Sequence, residues 1–463
     1  MRNEWLKLRS MLLFESTPES FENDSEEVIA QFKRAYVEAE DQRKVEIQDV
    51  LAELAIDMKS YLKKWHLQNP DKWEILDETT IDSVVGQIVK LLIEWGVNQK
   101  VDYIKEEIKK VLTSNRFEIS MKTDKGILNN RLGNDAAFGL TEAMRRGASL
   151  VTTNPVMVNK IRKDESEKWD AIRDRMVQEN PNKAPEELAT MLAIEIVYEF
   201  CEEMWPIFKA TEGNDGYVSM QVSPRNANNA EKMYQEVRYV YDAISKRMGS
   251  EHANLVFKVP ATEAALKTVE AMTKEGIGVN ITGSCSVAQH LALAEVIERG
   301  HSKVNFLTMM SGRLDDRIAE ELEQKGIVNP TELSRKASEA IVKRSCKMLY
   351  DDLGYKKSYL LIASLRGPWN IEAGLSDKST PVYITCFPDK AEEYDEIKRE
   401  NISKIDDAID EDIIASLRES EIFCQGYDAE GLKPSEFAEY YPVKVTLESF
   451  VANYDETVAY MTM

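Results

Sequence analysis

The stretch LVFKVPATEAALKTVEAMTKEGIGVNIT, residues 255–282, contains one unit of the pattern that decides the fold. It begins with the apolar run Leu255–Val259 and ends with a second β-rich run, Gly278–Thr282. Between them, Glu263–Glu275 has the apolar spacing of an amphipathic helix. A strand, a helix and a strand in this order predict two parallel strands joined by a crossover helix.

The same alternation extends from about residue 117 to about residue 389 and predicts a (β/α)8 barrel, which needs about 250 residues. Two segments are candidates for the eighth strand: Phe117–Met121 and the polar stretch that leads to Asp135. The seven clear strands are predicted at Leu150–Thr152, Tyr217–Val222, Leu255–Val259, Gly278–Thr282, Val304–Leu307, Ser358–Ala363 and Pro381–Cys386. The helices between them include residues 185–210, 228–248 and 286–299.

The regions outside this alternation are predicted to be helical. Residues 1–115 form an N-terminal region with a break at Asn69–Pro70, residues 116–390 form the barrel, and residues 391–463 form a C-terminal extension. Two interpretations stay open for the N-terminal helices: a cap over the barrel mouth and a subunit contact in a homo-oligomer. The acidic cluster from Asp406 to Asp412 is interpreted as a solvated helix face rather than a metal site.

The composition is that of an acidic globular protein. Asp and Glu number 81 against 59 Lys and Arg, a net charge of −22 that argues against binding to nucleic acid or to anionic lipid. No segment approaches the roughly 18 apolar residues of a membrane span, and Met1–Trp5 does not begin a signal-peptide pattern, so we expect a cytoplasmic protein. The five cysteines and four histidines have no ligand spacing, which predicts neither a metal nor another cofactor.

Lys258 is the candidate nucleophile. It lies near the end of an apolar strand, and both faces of a strand in a parallel barrel are buried. Burial disfavours the ammonium form and lowers the pKa of an amine, as a nucleophile requires. Barrel enzymes also place their chemistry at this end of the strands. The alternative is a surface lysine on an exposed edge strand.

Polar side chains end the neighbouring strands at positions two apart. Alternate residues of a strand share a face, so each set projects together. Polar groups in such apolar strands are costly unless they are hydrogen-bonded. They predict either loop tethers or a polar pocket around Lys258, and their number favours the pocket. The sets are Thr152 with Asn154, Ser219 with Gln221 and Ser223, and Asn280 with Thr282.

Two later strand ends carry arginine beside serine and glycine, in Ser311–Arg313 and Ser364–Gly367. Guanidinium groups and backbone N–H groups in the late loops of a barrel suit a phosphate. Such a local cluster also provides what an anionic substrate needs in an acidic protein.

These segments together resemble the successive motifs of the transaldolase family in order and spacing, over about residues 133–388. The resemblance implies a (β/α)8 barrel that transfers a dihydroxyacetone unit between small-molecule sugar phosphates in the pentose phosphate pathway, through a Schiff base and without a cofactor. The motifs are Val151–Pro155, Phe257–Thr262, Glu275–Thr282, Ser311–Arg313 and Ala363–Arg366.

The resemblance also implies a role for each matching residue. Lys258 is similar to the family's Schiff-base lysine. Asp135 is near the position of its catalytic aspartate, with Asp124 as the fallback, although Asp135 could instead cap a helix over residues 136–146. Asn154 matches a contact to substrate hydroxyl groups, Asn280 and Thr282 match the surroundings of the Schiff base and its water, and Thr308, Arg313, Ser364 and Arg366 match the sugar-phosphate site.

Two positions depart from the family pattern. Gln221 stands where classical transaldolases have Glu and the fructose-6-phosphate aldolase branch has Gln, and an amide cannot accept a proton as a carboxylate does. That branch compensates with a tyrosine, where this chain has Met310. The leading hypothesis is a transaldolase in which Gln221 positions a water. The alternatives are an aldolase that releases dihydroxyacetone and a non-catalytic sugar-phosphate sensor.

Overall fold

A computed structural model of the protein describes residues 2–68, 77–136 and 138–463. Eight parallel strands form a closed barrel in which each strand pairs with its neighbours in sequence and β8 pairs with β1, which confirms the predicted fold. The strands are β1 (Asn130–Asn134), β2 (Ala148–Thr152), β3 (Tyr217–Gln221), β4 (Leu255–Pro260), β5 (Gly278–Ser284), β6 (Asn305–Met310), β7 (Tyr359–Ala363) and β8 (Val382–Cys386).

Helices precede, connect and follow the strands. Those before β1 are α1 (Arg2–Ser10), α2 (Phe21–Glu38), α3 (Asp41–Gln68), α4 (Glu78–Glu94), α5 (Asn98–Thr113) and α6 (Asn115–Asp124). Those between β1 and β8 are α7 (Leu140–Arg145), α8 (Pro155–Asp164), α9 (Ser166–Glu179), α10 (Pro185–Ala210), α11 (Ala230–Met248), α12 (Glu263–Lys274), α13 (Val287–Glu298), α14 (Ser311–Gln324), α15 (Pro330–Cys346) and α16 (Pro368–Ala373). Those after β8 are α17 (Pro388–Asp395), α18 (Glu411–Leu417), α19 (Glu421–Tyr427) and α20 (Tyr441–Tyr460).

The barrel interior has an apolar layer below a polar one. The lower layer is a buried cluster that includes Phe306 and Tyr383, whose rings meet edge to face at 4.7 Å. Since side chains alternate along a strand, the residues two positions further on form the next inward layer. That layer is mostly polar and includes Thr152, Ser219, Lys258, Thr308 and Thr385, all of them buried.

The second candidate for the eighth strand is the one that forms it. Phe117–Met121 lies instead in α6, whose start is capped by Ser114. The polar side chain of Asn130 on β1 is satisfied by β8 and by the end of α16, because it donates to the carbonyls of Val382 at 3.1 Å and Gly374 at 2.9 Å. The helix expected over residues 136–146 is shorter, at Leu140–Arg145; within that expected range Ala137 lies outside the described residues, as does the Asn69–Pro70 break.

The N-terminal helices pack against the flank of the barrel. Asp57 on α3 is fully buried and accepts hydrogen bonds from Arg145 on α7 at 2.7 Å and from Trp5 on α1 at 3.0 Å. Arg9 on α1 donates to the backbone carbonyl of Glu203 on α10 at 3.0 Å. This part of the chain therefore covers crossover helices rather than strand ends.

The C-terminal helix α20 crosses the barrel mouth instead. It is fastened to α8 and α9: Asn159 donates to the carbonyl of Asn453 at 2.8 Å, and the hydroxyl of Tyr460 donates to Asp170 at 2.6 Å. The acidic residues from Asp406 to Asp412 are exposed, as predicted, although only the last two lie in a helix. None of the helices that the structure describes is long and apolar enough to cross a membrane.

Candidate active site

A cavity of about 240 Å³ opens at the C-terminal ends of the strands and is lined by most of the predicted site residues. The predicted residues in its wall are Asp135, Asn154, Lys258, Thr282, Thr308, Arg313, Ser364 and Arg366, together with Met310. Asn280 and Gln221 are the two that do not line it.

Lys258 lies at the inner end of this cavity. Its side chain is 4% exposed, and its Nζ atom donates to the backbone carbonyl of Thr153 at 3.3 Å. Burial lowers the pKa of Lys258, and the nearby carboxylate of Asp135 opposes that effect only in part. A larger share of the neutral amine, which is the nucleophilic form, follows from this environment.

Asp135 faces Lys258 and does not cap a helix, since the residue before α7 is Gly139. Its carboxylate is buried and accepts a hydrogen bond from the hydroxyl of Thr152. Burial raises the pKa of Asp135, and the charge of Lys258 counteracts this rise. The fallback candidate, Asp124, instead forms an ion pair with Lys64 at 3.3 Å and is not part of the cavity wall.

Asn280 supports the site from the neighbouring strand. Its Cα is the register partner of that of Lys258, and its amide is fully buried. The amide donates to the hydroxyl of Ser219 at 2.9 Å and accepts from the hydroxyl of Thr308. The hydrogen bonds tie β3, β5 and β6 together beside Lys258.

Thr282 and Met310 line the cavity on the same two strands, two residues beyond Asn280 and Thr308. The hydroxyl of Thr282 has only a weak contact, 3.7 Å, to the sulfur of Met310, so it is available to a water or a substrate in the cavity. Met310 contributes a thioether where the aldolase branch of the resembled family has a phenol. A thioether does not donate a proton.

The other end of the cavity is cationic and tightly built. Arg366 forms an ion pair with Asp316 at 2.7 Å and donates to the carbonyl of Ser364 at 3.1 Å. Ser364 itself is in the left-handed region with φ of 59°. A Cβ atom on Gly312 would lie 2.3 Å from the oxygen of Ser364 and 2.6 Å from the guanidinium carbon of Arg366, so glycine is required there.

Several cavity residues were missed by the sequence reasoning. Arg317 and Asp316 follow Arg313 on α14, and the spacing of four residues between the two arginines is a helical signal that places both on one face. Phe387, directly after β8, was missed as well. The other four missed residues have no such signal, because they come from α20, about 130 residues further along the chain. They are Pro442, Val445, Thr446 and Phe450.

Gln221 lies in a separate small cavity of about 30 Å³, which corrects its predicted place beside the reacting atoms. Its amide nitrogen and oxygen are both buried without a hydrogen-bond partner among the described residues. Glu236 shares this cavity and accepts from the backbone N–H of Ser223 at 3.0 Å, and burial raises the pKa of Glu236 to about 7. The two cavities share Asn154 as a wall.

A closed (β/α)8 barrel with a polar cavity at the C-terminal ends of its strands is the architecture of the barrel enzymes. Residues 139–438 match the sequence model of the family described as Transaldolase/Fructose-6-phosphate aldolase, and the chain belongs to that family.

Curated relatives carry the name transaldolase. The chain is 29% identical to the one from Neisseria gonorrhoeae over 164 residues, 35% of this chain and 44% of the relative. It is 28% identical to that of Thiobacillus denitrificans over 209 residues, 42% and 55% of the two chains. It is 30% identical to that of Acidothermus cellulolyticus over 188 residues, 38% and 48%. The chain thus spans about half the length of the curated relatives it matches.

Proposed function

We propose that the protein is a transaldolase that moves a dihydroxyacetone unit from a ketose phosphate to an aldose phosphate through a Schiff base at Lys258. The observation that carries the proposal is one cavity with two chemically distinct ends. A buried lysine and a buried aspartate lie at the inner end, and Arg313 and Arg366 line the other. An amine suits a carbonyl, and a guanidinium pair suits a phosphate.

The reaction starts with the neutral amine of Lys258. It attacks the ketone carbon of the donor, and loss of water gives a protonated Schiff base. The carboxylate of Asp135 then takes the proton of the C4 hydroxyl while the C3–C4 bond breaks. The electron pair of that bond moves into the enamine, and the aldose phosphate leaves.

The second half runs in reverse with a new acceptor. The enamine carbon attacks the carbonyl carbon of the acceptor aldehyde, and the aldehyde oxygen receives the proton from Asp135. Water at the hydroxyl of Thr282 hydrolyses the Schiff base and releases the product ketose. We assign no proton to Gln221, because it lines the neighbouring cavity and an amide does not accept a proton as a carboxylate does. Asn154 and Thr308 hold the substrate hydroxyl groups, and Ser364 joins the two arginines at the phosphate.

A second candidate is an aldolase that releases free dihydroxyacetone, with water in place of the acceptor. The glutamine at position 221 favours it, since that branch of the family carries the same residue. A non-catalytic sugar-phosphate sensor is the third candidate, favoured by the lack of a proton-transfer group at positions 221 and 310.

Borohydride trapping with fructose 6-phosphate, read by mass spectrometry, tests the proposal. We expect a reduced adduct at Lys258, its loss in Lys258→Met, and its retention in the control Lys267→Met, which changes an exposed lysine on α12. Absence of an adduct in the unaltered protein would reject both enzymes with this donor. An adduct without exchange to erythrose 4-phosphate would favour the aldolase.

The broader setting is part of the same proposal. We place the enzyme in the cytoplasm, in the carbohydrate metabolism of the pentose phosphate pathway. We keep the three-part division at residues 115 and 390, with the N-terminal helices as a subunit contact. Analytical ultracentrifugation of the full chain tests the subunit contact, and a strictly monomeric protein would reject it.

A further inference from the structure

Helix α20 is an addition to the family barrel that forms part of its cavity. It lies beyond residue 438, where the match to the family ends. Its far end is fixed by the hydroxyl of Thr457, which donates to Asn159 on α8 at 2.9 Å. Its near half carries Thr446 and Phe450, which line the cavity over the cationic end.

Phe450 contacts one guanidinium group in particular. The guanidinium carbon of Arg313 lies 5.3 Å from the centroid of the Phe450 ring, which is a cation–π contact. Phe450 is 1% exposed, so the ring also keeps water from that side of Arg313.

Arg313 differs electrostatically from the other arginines of the cavity. Arg366 is paired with Asp316 at 2.7 Å, and Arg317 is paired with Glu320 at 2.9 Å. Among the residues that the structure describes, no carboxylate lies within ion-pair distance of Arg313. Burial and the neighbouring Arg366 both lower the pKa of Arg313. An anion that enters the cavity therefore relieves an uncompensated charge at Arg313 before any other arginine.

We propose that Phe450 is a positioning residue that holds Arg313 for the phosphate group of the substrate, so that phosphate binding and docking of α20 stabilise each other. The identity of the ligand as a phosphate ester rests on the function proposed above. The coupling itself rests on the contact between α20 and the cationic end of the cavity, and it is reciprocal by thermodynamic linkage.

Calorimetric titration with inorganic phosphate tests the contact. Phe450→Leu keeps an apolar side chain and removes the ring face, and we expect about tenfold weaker phosphate binding, as the loss of a desolvated cation–π contact implies. Phe450→Tyr keeps an aromatic ring and should retain the affinity for phosphate. The matched control is Glu448→Ala, which changes an exposed residue on the same helix and should bind phosphate unchanged. Equal affinity in the protein and in Phe450→Leu would overturn the proposal.

Hydrogen exchange tests the coupling to α20. Phosphate should slow exchange of the amides at residues 441–460 in the unaltered protein, and much less in Phe450→Leu. In turnover, Phe450→Leu should raise KM for fructose 6-phosphate and leave kcat close to its original value. A purely structural role for Phe450 would lower both activity and thermal stability and leave phosphate without effect on α20, and this result would also overturn the proposal.

The outcomes separate this inference from the proposed function. Phosphate-dependent protection of α20 without a Lys258 adduct would reject the enzyme and keep the coupling. An adduct at Lys258 without phosphate-dependent protection of α20 would keep the enzyme and reject the coupling.

Discussion

The substitution Gly312→Ala is the sharpest test of how the cationic end is built. The added Cβ atom would lie 2.3 Å from the carbonyl oxygen of Ser364 and 2.6 Å from the guanidinium carbon of Arg366. Ordinary contacts of a Cβ atom begin at 3.4 Å, so the backbone at Ser364 or at Gly312 must move by about 1 Å. The first of these neighbours is backbone, which cannot rotate away as a flexible side chain can.

Two effects of different size follow from this collision. Overpacking of this kind costs about 1–3 kcal/mol of unfolding free energy, which urea denaturation would measure. A displacement of about 1 Å at a group that positions the substrate lowers activity by about 100-fold, so kcat/KM for fructose 6-phosphate should fall by about that factor. We expect the loss of activity to be the larger of the two.

Gly86→Ala is the matched control for this prediction. Gly86 lies inside α4, and no atom would approach its added Cβ within 4 Å. The change should stabilise the protein by about 0.5–1 kcal/mol, because alanine loses less conformational freedom in a helix than glycine. A Gly312→Ala protein with unaltered unfolding free energy and unaltered kcat/KM would refute this description of the cationic end.

Three further predictions concern individual charges. Asp135→Asn should lower kcat about 100-fold or more, because it removes the proton acceptor. It should also lower the pKa of Lys258 further, so that borohydride trapping persists to lower pH. An unchanged pH profile of trapping would contradict this prediction. Asp316→Asn should free Arg366 and strengthen phosphate binding about two- to fivefold in a calorimetric titration. The gain is small because the side chains of both partners are 40% exposed. Weaker binding would show that the aspartate helps to position the ligand. The pKa of Glu236 is raised on folding from 4.5 to about 7, so its neutral form favours the folded state, and the stability present below pH 4.5 is lost as the pH rises through 7. The unfolding free energy of the Glu236→Gln protein should therefore be about 3 kcal/mol higher than that of the original protein at pH 8 and equal to it near pH 4. An equal difference at both pH values would rule out titration of Glu236 as the cause.

The interior strands could be predicted because they consist mostly of apolar residues, which indicates burial. β7 is a continuous apolar run, and β4 is one that only Lys258 interrupts, as expected of strands buried on both faces. β1 has no such run, with Asn130, Arg131 and Asn134 among its five residues. It pairs with β8 through its backbone, and the side chain of Asn130 donates to the carbonyl of Val382. Sequence periodicity does not reveal a hydrogen bond between residues 252 positions apart.

The residues of the candidate site likewise fall into those that the sequence predicted and those that it did not. Lys258 and Thr282 could be named because they lie near the C-terminal ends of regular strands, where a period of two decides which way a side chain points. Asn154 lies two residues beyond β2, where it caps the start of α8. Gln221 obeyed the same rule and was misplaced. It is the last residue of β3, where the chain leaves the barrel, and it lines the adjoining cavity.

The sequence by itself determined the barrel, its buried lysine and the arginines at its later strand ends, since these follow from local alternation of apolar and polar residues. Tertiary structure alone decided that Asp135 faces Lys258, that Arg366 is neutralised by Asp316 while Arg313 is not, and that α20 rather than the N-terminal helices covers the mouth. Burial and charge at a side chain depend on every segment that packs around it. Contacts between segments hundreds of residues apart leave no periodic trace in the chain.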